Sequence, residues 1–360
     1  MDITYNEAFG ERLRQARVMR GYSLRGLADA LGGRVSHAAL QKYERGAALP
    51  GSAVVLAFAE VLNLRPDYFF VSRPVALHGI EFRKRAKFGK KAADQVQEQA
   101  REFFERYLEI EAVLAIEPLP LPKQDLSRTP PEALGEAVEA AADAVREAWK
   151  LGVNALANVH ELLEDRGVKV TEVAADDAFD GFSGWADDNP IIVLAEWLNA
   201  DLPRKRLTAL HELGHLLLDL PGEMPPKDQE QLCHRFANAL LIPRAAFLEE
   251  FGSKRGAGQI SLHELVALKE QWGVSIAAIM KRAEQLGLMS HEAYKQFNMA
   301  FRKRGWHKDE PGKWEGAEHS SRFSQLVHRA AAQEVLTRSK AAGLLGVTLR
   351  EFDRQFGGMG

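Results

Sequence analysis

The sequence predicts a mainly α protein with one small β-sheet, an α+β class, and three observations carry that prediction. Apolar residues recur at helical spacing through most of the 360 residues. Three short runs, VKVTEV at 168–173, GFSGWA at 181–186 and PIIVLA at 190–195, read as strands of a single sheet. Directly after them, at 211–215, HELGH sets two histidines four residues apart inside a helical rhythm.

The composition is that of an ordinary globular protein of two or three domains. No stretch reaches 18 consecutive apolar residues, and the start, MDITYNEAFGERLRQAR, has no signal-peptide apolar region, so a cytoplasmic protein without membrane contact is expected. Cys233 is the only cysteine, which excludes an intrachain disulfide and a Cys-based zinc site. A net charge of −3 excludes a uniformly nucleic-acid-coating surface but leaves room for a local basic one.

From 7 to 71 the pattern is five short helices. Phe9, Leu13, Ala16 and Met19 mark the first, Ser23 caps a second carrying Leu24, Leu27, Ala28 and Leu31, and Ser36 caps a third, HAALQKYERG. In that third helix Leu40 and Tyr43 face a core, while His37, Ala38, Gln41 and Lys42 face out. The series SLRGLADALG, YERG, LP and VVLAFAEVLNL resembles the XRE class of helix-turn-helix domains, similar to lambda repressor. The resemblance implies binding to double-stranded DNA, with the third helix in the major groove and Ser36, His37, Gln41, Lys42 and Arg45 near base edges or phosphates. Two departures stand out: Leu24 where the class often has a DNA-contacting Gln, and Gly33-Arg34 as an insertion before the recognition helix. A helix-turn-helix used only for protein contact is the alternative.

Residues 82–93, FRKRAKFGKKAA, hold six basic side chains and no acidic one, either as a solvated face or as a phosphate-contacting arm. The following helix carries Val96, Ala100, Phe103, Phe104, Tyr107, Leu108 and Ile110, an amphipathic stripe suited to a homodimer or to interdomain packing. Pro118, Pro120, Pro122, Pro130 and Pro131 mark a stiff linker. Helices return through 132–166 and end at Gly167. The expected divisions are 1–73, 74–131, 132–245, 246–310 and 311–360.

In HELGH, side chains four apart lie one above the other on a helix, so His211 and His215 can share one zinc ion. The stripe Leu207, His211, Gly214, His215, Leu218 turns both inward, and Gly214 leaves room for close approach. A catalytic zinc takes three protein ligands and keeps one position for water. Glu230 is the best third ligand, because it heads the stripe Glu230, Cys233, Ala237, Leu240, Leu241 and places a carboxylate on an apolar face. Glu223 and Asp228, among Pro and Gly, are expected to face solvent. Glu212 projects from the neighbouring edge, the position of a general base. The alternative is an accidental motif with two core-facing histidines.

RLT-x-x-HELGH, Glu230 ahead of Leu232-Cys233, Phe236-Ala237 and LLIP at 240–243 together resemble the ImmA/IrrE family of zinc peptidases. That resemblance implies a zincin-like domain with Zn2+ held by His211, His215 and Glu230, with Glu212 catalytic. His234 stands where the family usually has Asn, as a supporting partner or an extra ligand, and Asp219 stands where a His is common. Residues 191–195 are the expected substrate-binding edge strand, or a purely structural one. After Pro243 the chain is helical, over 261–271, 275–286 and 291–305, and the segments LKEQWGVSIAAIMKRAEQLGLMS and GWHKDEPG continue the resemblance. The tail, FSQLVHRAA, SKAAGLLG and VTLREFDRQF, reads as three short helices similar to a minimal helix-turn-helix. The function expected is a regulator that joins DNA binding to zinc-dependent cleavage of a protein, a repressor among them, in a stress or phage response. The alternatives are a transcription factor that keeps the peptidase fold as a sensor, and an antitoxin-like interaction protein.

Overall fold

Helical spacing and serine caps shape the first helices of the computed structural model, which describes residues 5–70, 75–80, 89–252 and 260–357. These are α1 (Tyr5–Met19), α2 (Leu24–Ala30), α3 (His37–Glu44) and α4 (Ser52–Leu62), followed by a 3-10 turn at Pro66–Phe70. Ser23 and Ser36 accept hydrogen bonds from the backbone N–H groups of Gly26 and Ala39, satisfying donors that a helix start leaves unpaired. Phe9, Leu13, Leu27, Leu40, Phe58, Leu62 and Phe69 form a core of their own. At Gly10 a Cβ would lie 2.5 Å from the Tyr43 carbonyl oxygen, so only glycine lets α1 approach α3 this closely.

After β1 (Leu77–His78) comes α5 (Lys90–Val113), 24 residues and roughly 36 Å long at about 1.5 Å per residue. Its amphipathic stripe is used within the chain. Val96, Ala100 and Phe104 join the largest core, while Tyr107 and Ile110 join a third cluster with the C-terminal helices. The Arg12–Glu105 ion pair at 2.6 Å ties α1 to it. Of the basic run at 82–93, residues 82–88 lie outside the described residues.

The chain then forms β2 (Gln124–Asp125), α6 (Leu134–Ala148), α7 (Val159–Asp165), β3 (Lys169–Val173), β4 (Gly181–Ala186) and β5 (Asn189–Ala195). The three expected strands are present, in a sheet of order β1-β4-β5-β3. β5 pairs in parallel with β3 and antiparallel with β4. Residues 191–195 are therefore a central strand, correcting the expectation of an edge. Their unbroken apolar run fits burial on both faces, which is the pattern of an interior strand. β1 pairs only with Trp185 and Ala186 of β4, so among the described residues 181–183 have no strand on that side.

The sheet feeds α8 (Leu202–Leu217), whose last turn runs into β6 (Leu218–Asp219), paired in parallel with β2. α9 (Pro226–Leu241) packs back on α8. Then follow α10 (Arg244–Phe247), α11 (Leu262–Trp272), α12 (Ile276–Gln285), α13 (His291–Lys303), α14 (Arg322–Ala332), α15 (Arg338–Leu345) and α16 (Leu349–Gly357). Between α13 and α14, the segment at 304–321 is pinned by two carboxylates. Glu310 accepts from the N–H groups of Ile276 and Ala277 and pairs with Lys269. Glu318 accepts from the N–H groups of Val159 and His160 and pairs with the buried Arg206 of α8. Among the described residues no helix is long and apolar enough to cross a membrane.

Candidate metal centre and nucleic-acid interface

Asp201 caps α8 by accepting from Arg204 N–H, Pro203 sits in the first turn, and the helix is then buried on both sides, against the sheet and against α9. His211 is fully buried, and His215 and Glu230 are 20% and 34% exposed. Their donors converge. His211 Nε2 lies 3.1 Å from His215 Nε2 and 3.2 Å from Glu230 Oε2, and His215 Nε2 lies 3.4 Å from Glu230 Oε1. A tetrahedron with metal–ligand bonds of about 2.0–2.1 Å has edges of roughly 3.3 Å. The spacing of the donor groups therefore suits a tetrahedral metal site, with each histidine facing a different oxygen of Glu230, and these three form the group of metal-capable side chains found among the described residues. Burial disfavours charge on His215, yet the Cys233 sulfur, the Glu230 carboxylate and Glu212 together hold its pKa up at about 11. Such a field favours a cation among these donors.

Gly214 eases the close packing of α8 on α9, since a Cβ there would meet Cys233 Cα and Cβ at 3.3 Å, tighter than ordinary contact. Glu212, only 3% exposed, accepts the Ser183 hydroxyl at 3.0 Å. Glu223 and Asp228 are exposed, as expected.

On α3, Leu40 is buried, whereas Ser36, His37, Lys42 and Arg45 are exposed and Gln41 partly so. His37, Gln41 and Arg45 follow one another at i, i+4 spacing along the outward side of that helix, with Lys42 beside them. The opposite end of this unit rests on the rest of the chain through Arg12–Glu105 and through Arg65, which donates to the Ser339 carbonyl. Gly32 and Gly33, in the turn that carries the insertion, both adopt positive φ, at 63° and 80°.

Comparison with known proteins matches residues 13–69 to the helix-turn-helix family and residues 163–284 to the IrrE N-terminal-like domain of peptidase family M78. The uncharacterised HTH-type transcriptional regulator YazB of Bacillus subtilis (strain 168) is 41% identical over 61 residues, covering 17% of this chain and 86% of that protein. The chain belongs to the XRE-type helix-turn-helix proteins and carries an IrrE-like domain.

Within the IrrE-like domain the remaining expected residues divide. The His234 ring packs at a 40° tilt against that of His211, with centroids 4.1 Å apart, and is not one of the three grouped donors. It also lines a cavity of roughly 1070 Å³ with Leu207, Leu232, Asn238, Ala278 and Tyr294. Asp219 is exposed in β6 and stands apart from the triangle, because the chain turns from helix into strand directly after Leu217. Two contributors escaped sequence reasoning. Cys233 places its sulfur 3.5 Å from His215 Nδ1, and its only signal was a place three residues after Glu230. Ser183, 29 residues before Glu212, had no signal at all.

Proposed function

We propose that this chain is a DNA-binding transcriptional regulator with zinc-dependent endopeptidase activity, acting in the cytoplasm on a repressor or another regulatory protein in a stress or phage response. The single observation that carries the enzymatic reading is the triangle of His211, His215 and Glu230 with the Glu212 carboxylate buried beside it. A zinc ion held there would polarise the substrate carbonyl and acidify its bound water. Ser183 orients Glu212 by donating a hydrogen bond to Oε2, and Glu212 would take a proton from water and pass it to the leaving amine. The substrate chain adds alongside residues 181–183 of β4, the side of the sheet next to Ser183 that carries no strand among the described residues. One substrate side chain enters the cavity past His234.

Glu212→Gln keeps shape and hydrogen bonding but cannot take a proton, so it retains zinc and loses cleavage by about a hundredfold to ten-thousandfold. Glu230→Gln replaces an anionic ligand with a neutral amide and loses zinc itself. Zinc content of the purified variants, with disappearance of an intact regulatory protein in cells, separates the two roles. Unchanged cleavage by Glu212→Gln would overturn the mechanism. Equal zinc in wild type and His211→Ala would overturn the metal site.

A further inference from the structure

We propose that α14, α15 and α16 form a second helix-turn-helix unit that binds duplex DNA. Thr337 caps α15, which ends at Gly346 in the left-handed region with φ of 67°. Three residues later α16 begins, where Thr348 and Glu351 bond reciprocally: Glu351 Oε2 accepts from Thr348 N–H at 2.8 Å, and Thr348 Oγ1 accepts from Glu351 N–H at 3.3 Å. Two short helices joined by a three- or four-residue turn with Gly is the helix-turn-helix arrangement. Its connection is tighter than that between α2 and α3, which spans residues 31–36 with two glycines.

The unit packs around a core it shares with α5. Ala341, Ala342, Leu344 and Phe352 pack with Leu326, Val327 and Ala330 and with Tyr107 and Ile110 of α5, in a cluster distinct from the one inside the first unit. The small Ala341-Ala342 pair lies where α15 meets its neighbours, and Val347 packs on the same core from the turn. α16 turns Phe352 inward and leaves Leu349, Arg350, Asp353 and Arg354 exposed.

Charge selects the partner. Residues 322–357 carry six Lys+Arg against three Asp+Glu, in a chain whose net charge is −3. Residues 5–70, which hold the first unit, carry nine against six. The tail thus concentrates the same excess in about half the length, and on α16 Arg350 and Arg354 lie exposed one turn apart while Glu351 is engaged by Thr348 and Asp353 by Arg338, which leaves the two guanidinium groups to meet phosphates along the major groove.

The two units also sit on one support. α14 seats on α5 through Phe323, whose ring lies 5.2 Å from Phe103 and 5.3 Å from Tyr107. α1 seats on the same helix through Arg12–Glu105, and Arg65 Nη1 donates to Ser339 O at 3.1 Å between the units. The two faces travel together as parts of one reader with a longer footprint than α3 alone.

The test uses the full chain and a short random-sequence duplex, followed by fluorescence anisotropy at low salt. Lys42→Glu/Arg45→Glu disables the α3 face and retains salt-dependent binding. Adding Arg350→Glu/Arg354→Glu then weakens binding at least about tenfold, on the scale of two lost phosphate contacts. A charge-matched control, Lys303→Glu/Lys308→Glu, does not weaken it. Thermal melting reads folding, and if it falls, Arg350→Gln/Arg354→Gln takes the place of the reversals. The proposal is overturned if the α3 variant alone abolishes binding, if the α16 substitutions change nothing, if the control weakens binding equally, or if a single strand binds as tightly as the duplex.

Discussion

Glu164 of α7, only 4% exposed, shows how one residue sets a pH dependence. Burial pushes its carboxyl up to about 7, against hydrogen bonds from Ser320, the Val170 backbone and Tyr107 that favour ionisation. A glutamate in the unfolded chain titrates near about 4.3. Between these values the folded state holds a proton that the unfolded state has lost, so this contribution is fully present below about pH 4.3 and gone above about pH 7. Glu164→Gln removes the penalty. The variant should be more stable than wild type above pH 7, by on the order of 1–3 kcal/mol, and the gain should vanish as pH falls toward 4. Urea unfolding at both ends of that range checks it, and a pH-independent difference would contradict it. The grouping of His211, His215 and Glu230 at the candidate metal centre was legible because helical periodicity maps spacing directly onto a shared face, as for His211 and His215. Ser183 reaches Glu212 across a sheet–helix contact, for which one chain's sequence carries no periodic signal.

At the scale of elements, local patterns gave the strands and helices but not their order in space. β3, β4 and β5 appear where their β-branched and aromatic residues lie, yet β5 is central because pairing partners are chosen by the tertiary fold. β1, β2 and β6, two residues each, and α10, four residues, are too short to carry a period. The segment at 304–321 had no pattern beyond its resemblance, although it carries one of the most demanding contacts in the chain. Glu318 and Arg206 are 2% and 0% exposed, the Trp314 ring lies 4.3 Å from the guanidinium carbon, and Glu318 also caps α7. Removing one partner of a buried pair strands the other's charge. Glu318→Ala should therefore lower the unfolding free energy by about 3–5 kcal/mol, and Glu318→Leu/Arg206→Met should recover part of it, leaving the lost cap. Chemical denaturation followed by tryptophan fluorescence measures both. A double variant less stable than Glu318→Ala would refute this account of the pair.

For the whole molecule, the decisive feature is how the N-terminal unit is docked. Arg12 and Glu105 are 93 residues apart and obey no shared pattern, so the sequence could indicate an amphipathic α5 but not which helix would cover it. Docking uses α1 and Arg65, just after α4, while the outward side of α3 stays exposed. With that placement, DNA binding through α3 would not require the unit to separate from α5. Full-length protein should bind duplex DNA with an affinity that falls steeply with salt, because each neutralised phosphate releases counterions, giving a slope of about −0.9 per contact in log K against log salt. Lys42→Ala and Arg45→Ala should each reduce the magnitude of that slope by about 1 and weaken binding across sequences alike. Gln41→Ala should act differently, relaxing sequence preference with little change in slope, since an amide reads base edges and carries no charge. Titrations of one operator and one scrambled duplex at several salt concentrations distinguish the two behaviours. Unchanged slopes in both lysine and arginine variants would show that α3 is not the helix that meets the phosphates.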